Sequence, residues 1–198
     1  MNKIIDFFRD HNGYARMKDL KSAGIHTRTV KKLLEEGIIE KLKPGLYRLS
    51  KLSGDLTVTF VDVCRAVPKG VICLASALDY YDLTTFSPNE IYVAIPNGIK
   101  KVNVDYPPLK FFYFRESMYF LGLENINIKA GTIRIYNREK TVCDMFRFRN
   151  RLGEDLAIEA LKNYLSWSNG NMSTLQKYMH VTRMEKIMAP FIKGMMHV

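Results

Sequence analysis

The chain has few residues of the kinds that build metal centres, disulfide frameworks and enzyme active sites. Its three cysteines, Cys64, Cys73 and Cys143, are an odd number, lie far apart and form no CxxC pair. This usage is typical of reduced, buried thiols in a cytosolic protein. The four histidines are dispersed, and the sequence has no GxGxxG, P-loop or HExxH motif. We therefore expect no metal, no cofactor and no enzymatic activity.

Long apolar runs are also missing. No stretch approaches the roughly 20 apolar residues that a membrane-spanning helix needs. The N-terminal stretch carries Asp6 and Asp10 and has no small-residue cleavage site, which excludes a secretory signal peptide. We expect a cytoplasmic protein with no membrane contact.

Positive charge is in excess and unevenly distributed. The 198 residues include 30 Lys and Arg against 20 Asp and Glu, a formal net charge of +10. Residues 1–51 contain 12 basic and 6 acidic residues, a net of +6, and the remaining residues contain 18 and 14, a net of +4. A quarter of the chain thus carries more than half of the excess, which favours an anionic partner for that quarter.

The same N-terminal quarter has the periodicity of three helices and a hairpin. A helical apolar stripe ends at Asn12 and Gly13, and two further helices are predicted over 17–23 and 27–36, the last with Thr27 as its N-cap. Strands over 38–43 and 46–49 enclose a Pro-Gly turn. This order predicts a winged helix-turn-helix DNA-binding domain over residues 1–52.

The third helix of this domain is the predicted recognition helix. Val30, Leu33 and Leu34 form its inner face, so the outer face consists of polar residues without an acid before Glu35. Residues near the start of such a helix read base edges, whereas later cations meet phosphates. We expect base readout from Arg28 and Thr29, phosphate contacts from Lys31 and Lys32, and backbone contacts from His26 and Thr27.

The hairpin is basic as well. Lys41, Lys43 and Arg48 flank the Pro-Gly turn, and no acid follows Glu40. Such a tip can grip the DNA backbone or enter the minor groove. A merely solvated basic face, or a winged helix that binds protein, is the alternative.

The apolar pattern of residues 53–198 predicts a larger mixed domain with a helical C-terminal end, so the predicted fold class is α+β. Strands are predicted over 91–95, 110–114 and 132–136, and helices over 60–66, 75–81, 140–149, 154–167 and from 172 onward. The aromatic run 111–114 is interpreted as a strand buried on both faces.

Two arginines of this larger domain form a possible second DNA patch. Arg147 and Arg151 lie four residues apart and share one side of a predicted helix. As phosphate contacts they would lengthen the footprint and bend the DNA. The alternative is a solvated face in which Asp144 pairs with one of them.

Three phrases follow one another along the chain: LKPGLY at 42–47, ASALDYYDLT at 75–84, and GTIRIY at 131–136 followed by REKTVCDMFR at 138–147. In this order they resemble phrases of AbiEi-type antitoxins of type IV, or abortive-infection, toxin–antitoxin systems. The chain departs from the usual pattern at Tyr81-Asp82, where such proteins often have His-Gly, and at Lys140, where Arg is commoner.

The resemblance implies an antitoxin that represses its own operon at inverted repeats and counteracts a nucleotidyltransferase-like toxin encoded next to it, in phage resistance. It does not require a stable complex with the toxin. It is compatible with a monomer in solution or with cooperative assembly on DNA. The alternatives are a winged-helix regulator whose second domain senses a small ligand, and an enzyme such as a nuclease targeted by the DNA-binding module.

Overall fold

A computed structural model describes residues 2–52 and 55–196, and its contacts divide the chain into two compact units. The first comprises Met1–Gly70, Lys100–Leu109 and Asn125–Ile133, and the second comprises Val71–Ile99, Lys110–Glu124 and Arg134–Val198. The domain boundary predicted after Leu52 lies next to residues 53 and 54, which are outside the described ranges, and it stays a prediction. The contacts group residues 55–70 with the N-terminal segment.

The first unit contains four helices and a small sheet among its described residues. In chain order these are α1 (Asn2–Asp10), β1 (Tyr14–Arg16), α2 (Met17–Ser22), α3 (Thr27–Glu35), β2 (Ile39–Lys43), β3 (Leu46–Leu49), a 3-10 turn (Ser50–Leu52) and α4 (Leu56–Ala66). The sheet order is β1-β3-β2, and both pairs of strands are antiparallel. The hairpin is thus β2–β3, and β1 adds a third strand to it.

A single apolar cluster holds the three N-terminal helices to the sheet. Each helix buries one stripe, as the periodicity predicts. The buried members of the cluster are Ile4, Phe8, Ala15, Leu20, Ile25, Val30, Leu33, Ile39 and Tyr47. The packing of these stripes fixes which side of each helix faces solvent.

The structure corrects two details of the N-terminal segment. Thr27 is the first residue of α3 and not its cap, because His26 occupies the cap position without a side-chain cap bond. The three-residue strand β1 was not predicted, since so short a segment has no measurable alternation. It forms because Tyr14 and Ala15 are buried against β3.

The helix α4 is capped at its start and almost entirely buried toward its end. Asp55 accepts hydrogen bonds from the backbone N–H and the hydroxyl of Thr57, both at 2.9 Å. Phe60, Val61, Val63 and Cys64 are buried, as is Asp62 among them. Helix α4 therefore brings a buried carboxylate into the first unit.

The second unit contains strands of a five-stranded sheet with the order β6-β5-β4-β8-β7, of which residues 125–133 are grouped with the first unit. Strand β4 pairs antiparallel with β5 and parallel with β8, with Ile72 opposite Val93 and Ile135. The remaining elements are β4 (Val71–Ile72), α5 (Leu74–Tyr80), β5 (Ile91–Pro96), β6 (Leu109–Phe114), α6 (Glu116–Tyr119), β7 (Leu123–Ile128), β8 (Gly131–Tyr136), α7 (Arg138–Arg147), α8 (Arg149–Leu152), α9 (Glu154–Ser166), α10 (Met172–Val181) and α11 (Glu185–Met196).

Helix α7 is the central helix of the second unit and packs against α5, α9 and α10. It is buried along most of its length, including Lys140 and Asp144, which form an ion pair one turn apart. The Lys140 ammonium also lies 4.5 Å from the ring centroid of Tyr136. Asp144 thus pairs with Lys140. The alternative prediction for this helix, in which Asp144 pairs with Arg147 or Arg151, was wrong.

The aromatic run on β6 is buried on one face only. Phe112 and Phe114 are buried, whereas Tyr113 is 46% exposed. The expectation of a strand buried on both faces was wrong, because β6 lies at the edge of the sheet and its outer face is open. The three cysteines are free and buried, as predicted.

The mixed α+β class is confirmed, and the described chain from Arg138 to Met196 is helical apart from short connections. Strands β4 and β7 were not predicted. Within residues 2–52 and 55–196, no helix combines the length and the apolar character needed to cross a bilayer.

Removal of the cap of α4 provides a test of this local structure. Asp55→Ala should lower the free energy of unfolding by about 1 kcal/mol, whereas Asp55→Ser should retain most of it, since a hydroxyl also caps. The hydrogen bonds from Thr57 lower the pKa of the Asp55 carboxyl. Its stabilisation is therefore present above the ordinary carboxyl pKa and lost as the pH falls through the lowered value. Urea denaturation at pH 7 and at low pH measures both effects, and an equal difference at both pH values would contradict the cap.

Candidate nucleic-acid interface

The six residues predicted on and before α3 all lie on its solvent side. His26, Thr27, Arg28, Thr29, Lys31 and Lys32 are exposed. Val30 and Leu33 are 1% and 2% exposed and belong to the apolar cluster. The cluster therefore fixes the rotation of α3 about its axis. As a result, the polar residues of α3 face solvent.

The cations of this face differ in their partners. Lys31 and Lys32 each lie 3.7 Å from the glutamate four residues later, Glu35 and Glu36 respectively. Exposed pairs of this kind contribute little and exchange readily. Arg28 forms no ion pair within the described part of the chain, so its five N–H donors are available to a ligand.

The hairpin differs from the prediction, because each of its three cations is bound within the protein. Lys41 forms a 2.9 Å ion pair with Asp105, which raises the pKa of Lys41. Lys43 donates a 2.6 Å hydrogen bond to the carbonyl oxygen of Ala66. All these partners come from segments of the first unit beyond residue 52.

Arg48 is the clearest correction to the predicted site. Its side chain is buried, and its guanidinium donates to Asp62 and Glu40. A phosphate cannot reach a guanidinium that is 2% exposed. The sequence predicts Arg48 as a DNA contact of the hairpin, but its guanidinium meets Asp62 of α4. The hydroxyl of Tyr14 on β1 donates to the same carboxylate at 2.8 Å.

The carboxylate of Asp62 is the electrostatic centre of this network. Burial raises the pKa of Asp62 to about 6, while the Tyr14 hydroxyl and the Arg48 guanidinium act in the opposite direction. Burial also raises the pKa of Tyr14 strongly, so its hydroxyl stays a donor. The network joins β1, β3 and α4 through charged hydrogen bonds in the interior of the unit.

Sequence reasoning missed Asp62 as a structural partner, although a signal was present. The residue stands alone in the apolar run Phe60–Cys64. Asp is almost never fully buried unless it is paired. An acid in such a run indicates a cationic partner elsewhere in the chain. Which cation is the partner depends on tertiary packing.

The two arginines of the possible second patch are in different environments. Arg151 is exposed, and its guanidinium lies 4.8 Å from the ring centroid of Phe112. Arg147 is half-buried, and it lies 5.8 Å from the ring centroids of Phe114 and Phe148. Of the pair, Arg151 is thus the one that is open to a phosphate.

The described residues do not support a metal centre. No group of three His, Cys, Asp or Glu side chains there is close enough to hold a metal ion. Burial raises the pKa of the Cys143 thiol to about 12 and that of Cys73 well above its ordinary value. Both thiols are therefore protonated at neutral pH.

Comparison with known proteins first gives a class for the N-terminal segment. Residues 2–50 match the family described as "Transcriptional regulator, AbiEi antitoxin". The match covers α1 to β3 and confirms the resemblance to AbiEi-type antitoxins for this quarter of the chain. No curated protein matches the sequence.

A solved structure shares the fold over most of the chain. The chain is similar to the crystal structure of the RV2827C protein from Mycobacterium tuberculosis, with a TM-score of 0.61 and 11% sequence identity. The similarity covers 90% of this chain and 70% of that one. At this level of identity the likeness concerns the fold alone.

The buried network predicts a specific pattern of stabilities. Arg48→Met leaves Asp62 buried without its guanidinium, so the free energy of unfolding should fall by about 3–5 kcal/mol. The double variant Arg48→Met/Asp62→Leu should recover most of that loss, because no buried charge remains. Urea denaturation measures both, with Lys41→Met as a control in the same hairpin that should stay close to wild type. A double variant no more stable than Arg48→Met would contradict the pairing.

Proposed function

We propose that this protein is a sequence-specific DNA-binding antitoxin that represses its own operon through the first unit. The order α1–β1–α2–α3–β2–β3, with the sheet order β1-β3-β2, fits a winged helix-turn-helix. The family match of residues 2–50 to transcriptional regulators supports the same assignment. We propose that α3 is its recognition helix.

The observation that carries the proposal is the exposed polar face of α3. It offers six residues able to bond to DNA, and its first acid is Glu35 in the last turn. A helix with such a face fits the major groove, where bidentate donors discriminate base pairs. Arg28 and Thr29 are the proposed base-reading residues, and Lys31 and Lys32 the phosphate contacts. His26 at the N-cap and Thr27 in the first turn are the proposed contacts to the DNA backbone.

The hairpin has a smaller role in this proposal than its composition indicated. Lys41 is half-exposed and could exchange Asp105 for a phosphate, whereas Lys43 is already bonded to the main chain. Contacts from both remain proposals. Arg48 takes no part, because it is buried.

The antitoxin activity is proposed for the remainder of the chain. The resemblance and the description of the matched family support it, and the toxin would be a nucleotidyltransferase-like protein from the adjacent gene. Inverted repeats would require two copies of the chain on one operator. Growth of cells that express the toxin together with the full chain carrying Arg28→Ala/Lys31→Ala/Lys32→Ala tests neutralisation separately from DNA binding.

One observation favours the alternative of a ligand-sensing regulator. Helices α10 and α11 line an open cleft of about 720 Å³. Its lining includes Met172, Met179, Ile192 and Met196, together with Glu185 and Lys193. Apolar clefts with a few polar groups are typical of small-ligand sites. Operator affinity that changes with a cell metabolite extract would favour this alternative.

The DNA-binding proposal is tested by gel shift on the DNA upstream of the gene. Arg28→Ala should weaken operator binding by about 1–3 kcal/mol while it leaves binding to unrelated duplex nearly unchanged, since a base contact is lost. The triple variant Arg28→Ala/Lys31→Ala/Lys32→Ala should lose binding to the operator and to unrelated duplex alike. Lys18→Ala, an exposed cation on α2, is the matched control. Equal operator binding by the triple variant and the wild type would refute the assignment of α3.

The second patch is tested by the length of the protected DNA. Arg151→Glu should shorten the footprint at one end and reduce any bending, because the exposed guanidinium would be replaced by a repelling carboxylate. Lys162→Glu on α9 is the control for the change in net charge. An unchanged footprint for Arg151→Glu removes this patch from the proposal.

A further inference from the structure

Three cations that the sequence scatters are close to one another in the first unit. Arg16 ends β1, Lys43 ends β2 and Arg65 lies in the last turn of α4. Burial lowers the pKa of both Lys43 and Arg65, and the charge of Arg16 lowers each further, while Tyr14 and Asp62 act in the opposite direction on Arg65. The charge of Arg16 therefore acts on both of the other cations.

Arg16 and Arg65 line a small cleft. Its volume is about 110 Å³, and Tyr14 and Leu46 also contribute to its wall. A liquid water occupies about 30 Å³, so the cleft has room for a small anion the size of a phosphate group. Asp19 and His11 lie at the exposed rim.

Arg65 is held in place by stacking, and not by an acid. Its guanidinium carbon lies 4.1 Å from the ring centroid of Tyr14. Tyr14 is itself fixed by its hydrogen bond to Asp62. Within the described ranges, no carboxylate lies within 4.0 Å of the guanidinium of Arg65 or Arg16. Asp62 acts on Arg65 through its field and not through a direct ion pair. A positioned, half-buried guanidinium whose N–H donors have no carboxylate in contact is an arrangement suited to binding an anion.

The cleft adjoins the hairpin turn. Leu46 follows the turn directly, and the N–H of Met17 bonds to the carbonyl oxygen of Gly45 at 2.9 Å. In the proposed winged helix this is the element that approaches the DNA backbone. An anion in the cleft would therefore lie at the edge of the surface that faces DNA.

We infer that the cleft between Arg16 and Arg65 binds a phosphate group of the DNA backbone, with Lys43 adding to its positive field. The inference rests on the proposed DNA-binding function and adds a contact from α4 that lies outside residues 1–52. Arg65 donates from the floor of the cleft, and Arg16 closes over the phosphate from the exposed side.

The salt dependence of DNA binding tests this site in the full chain. Fluorescence anisotropy gives the affinity for operator and for unrelated duplex between about 0.05 and 0.3 M salt. Arg65→Gln should reduce the slope of log K against log salt by about 0.9, which corresponds to an about 8-fold loss at 0.1 M salt if the affinities converge near 1 M. Because the contact is with phosphate, operator and unrelated duplex should weaken alike.

Matched variants separate this contact from general charge and from folding. Arg65→Lys keeps the charge and should keep the slope, and Lys177→Gln on the exposed side of α10 should leave the affinity unchanged. Arg16→Gln alters an exposed residue and should reproduce the Arg65→Gln slope, so it carries the test if Arg65→Gln does not fold.

The outcomes distinguish this inference from the function on which it rests. A wild-type protein that binds no duplex refutes the proposed function. If the wild type binds duplex through α3 but the Arg65→Gln and Arg16→Gln variants keep its salt slope, the phosphate site is refuted and the proposed function is not. Calorimetry with inorganic phosphate is the remaining arm: loss of phosphate binding in Arg65→Gln with unchanged DNA affinity would assign the cleft to a free anion and overturn the inference.

Discussion

The buried ion pair between Arg48 and Asp62 is the constraint on which the first unit depends. A guanidinium on the middle strand of a small sheet must be either exposed or neutralised, because an unpaired buried charge is strongly destabilising. In this protein β1 pairs with one edge of the strand, and α4 supplies the carboxylate that neutralises the buried guanidinium. The hairpin is thereby joined to α4 through groups that cannot be separated without leaving a charge in the interior.

This arrangement changes where the positive charge of the unit is available. The composition places three cations on the hairpin, but Asp105, Ala66 and Asp62 each bind one of them. The cations that we propose as DNA contacts therefore lie on α3 and, in our inference, in the cleft between β1 and α4. The hairpin consequently contributes more by binding later segments of the first unit than by offering cations to DNA. A basic hairpin in sequence is thus insufficient grounds for a DNA contact when acids elsewhere in the chain can reach it.

Much of the framework could be predicted from periodicity. The three N-terminal helices, the hairpin, and the strands that include Ile91 and Phe114 have clear apolar patterns, because each buries one face against a neighbour. Elements of two or three residues, such as β1 and β4, could not be predicted, since pairing with distant strands forms them. The aromatic run on β6 was misjudged for a related reason. Whether a strand lies at the centre or at the edge of a sheet is a property of topology and not of its own residues.

The sequence by itself determined the exposed polar face of α3, since the spacing of Val30 and Leu33 leaves Arg28 only the solvent side. It also determined the α+β class and the resemblance that the family match confirms for residues 2–50. Only the tertiary structure decided which cations are available. Charge pairing acts through space over a few ångströms, and Asp62 and Asp105 lie far along the chain from the cations that they bind. A local pattern could show that Arg48 is basic, but not that it is buried.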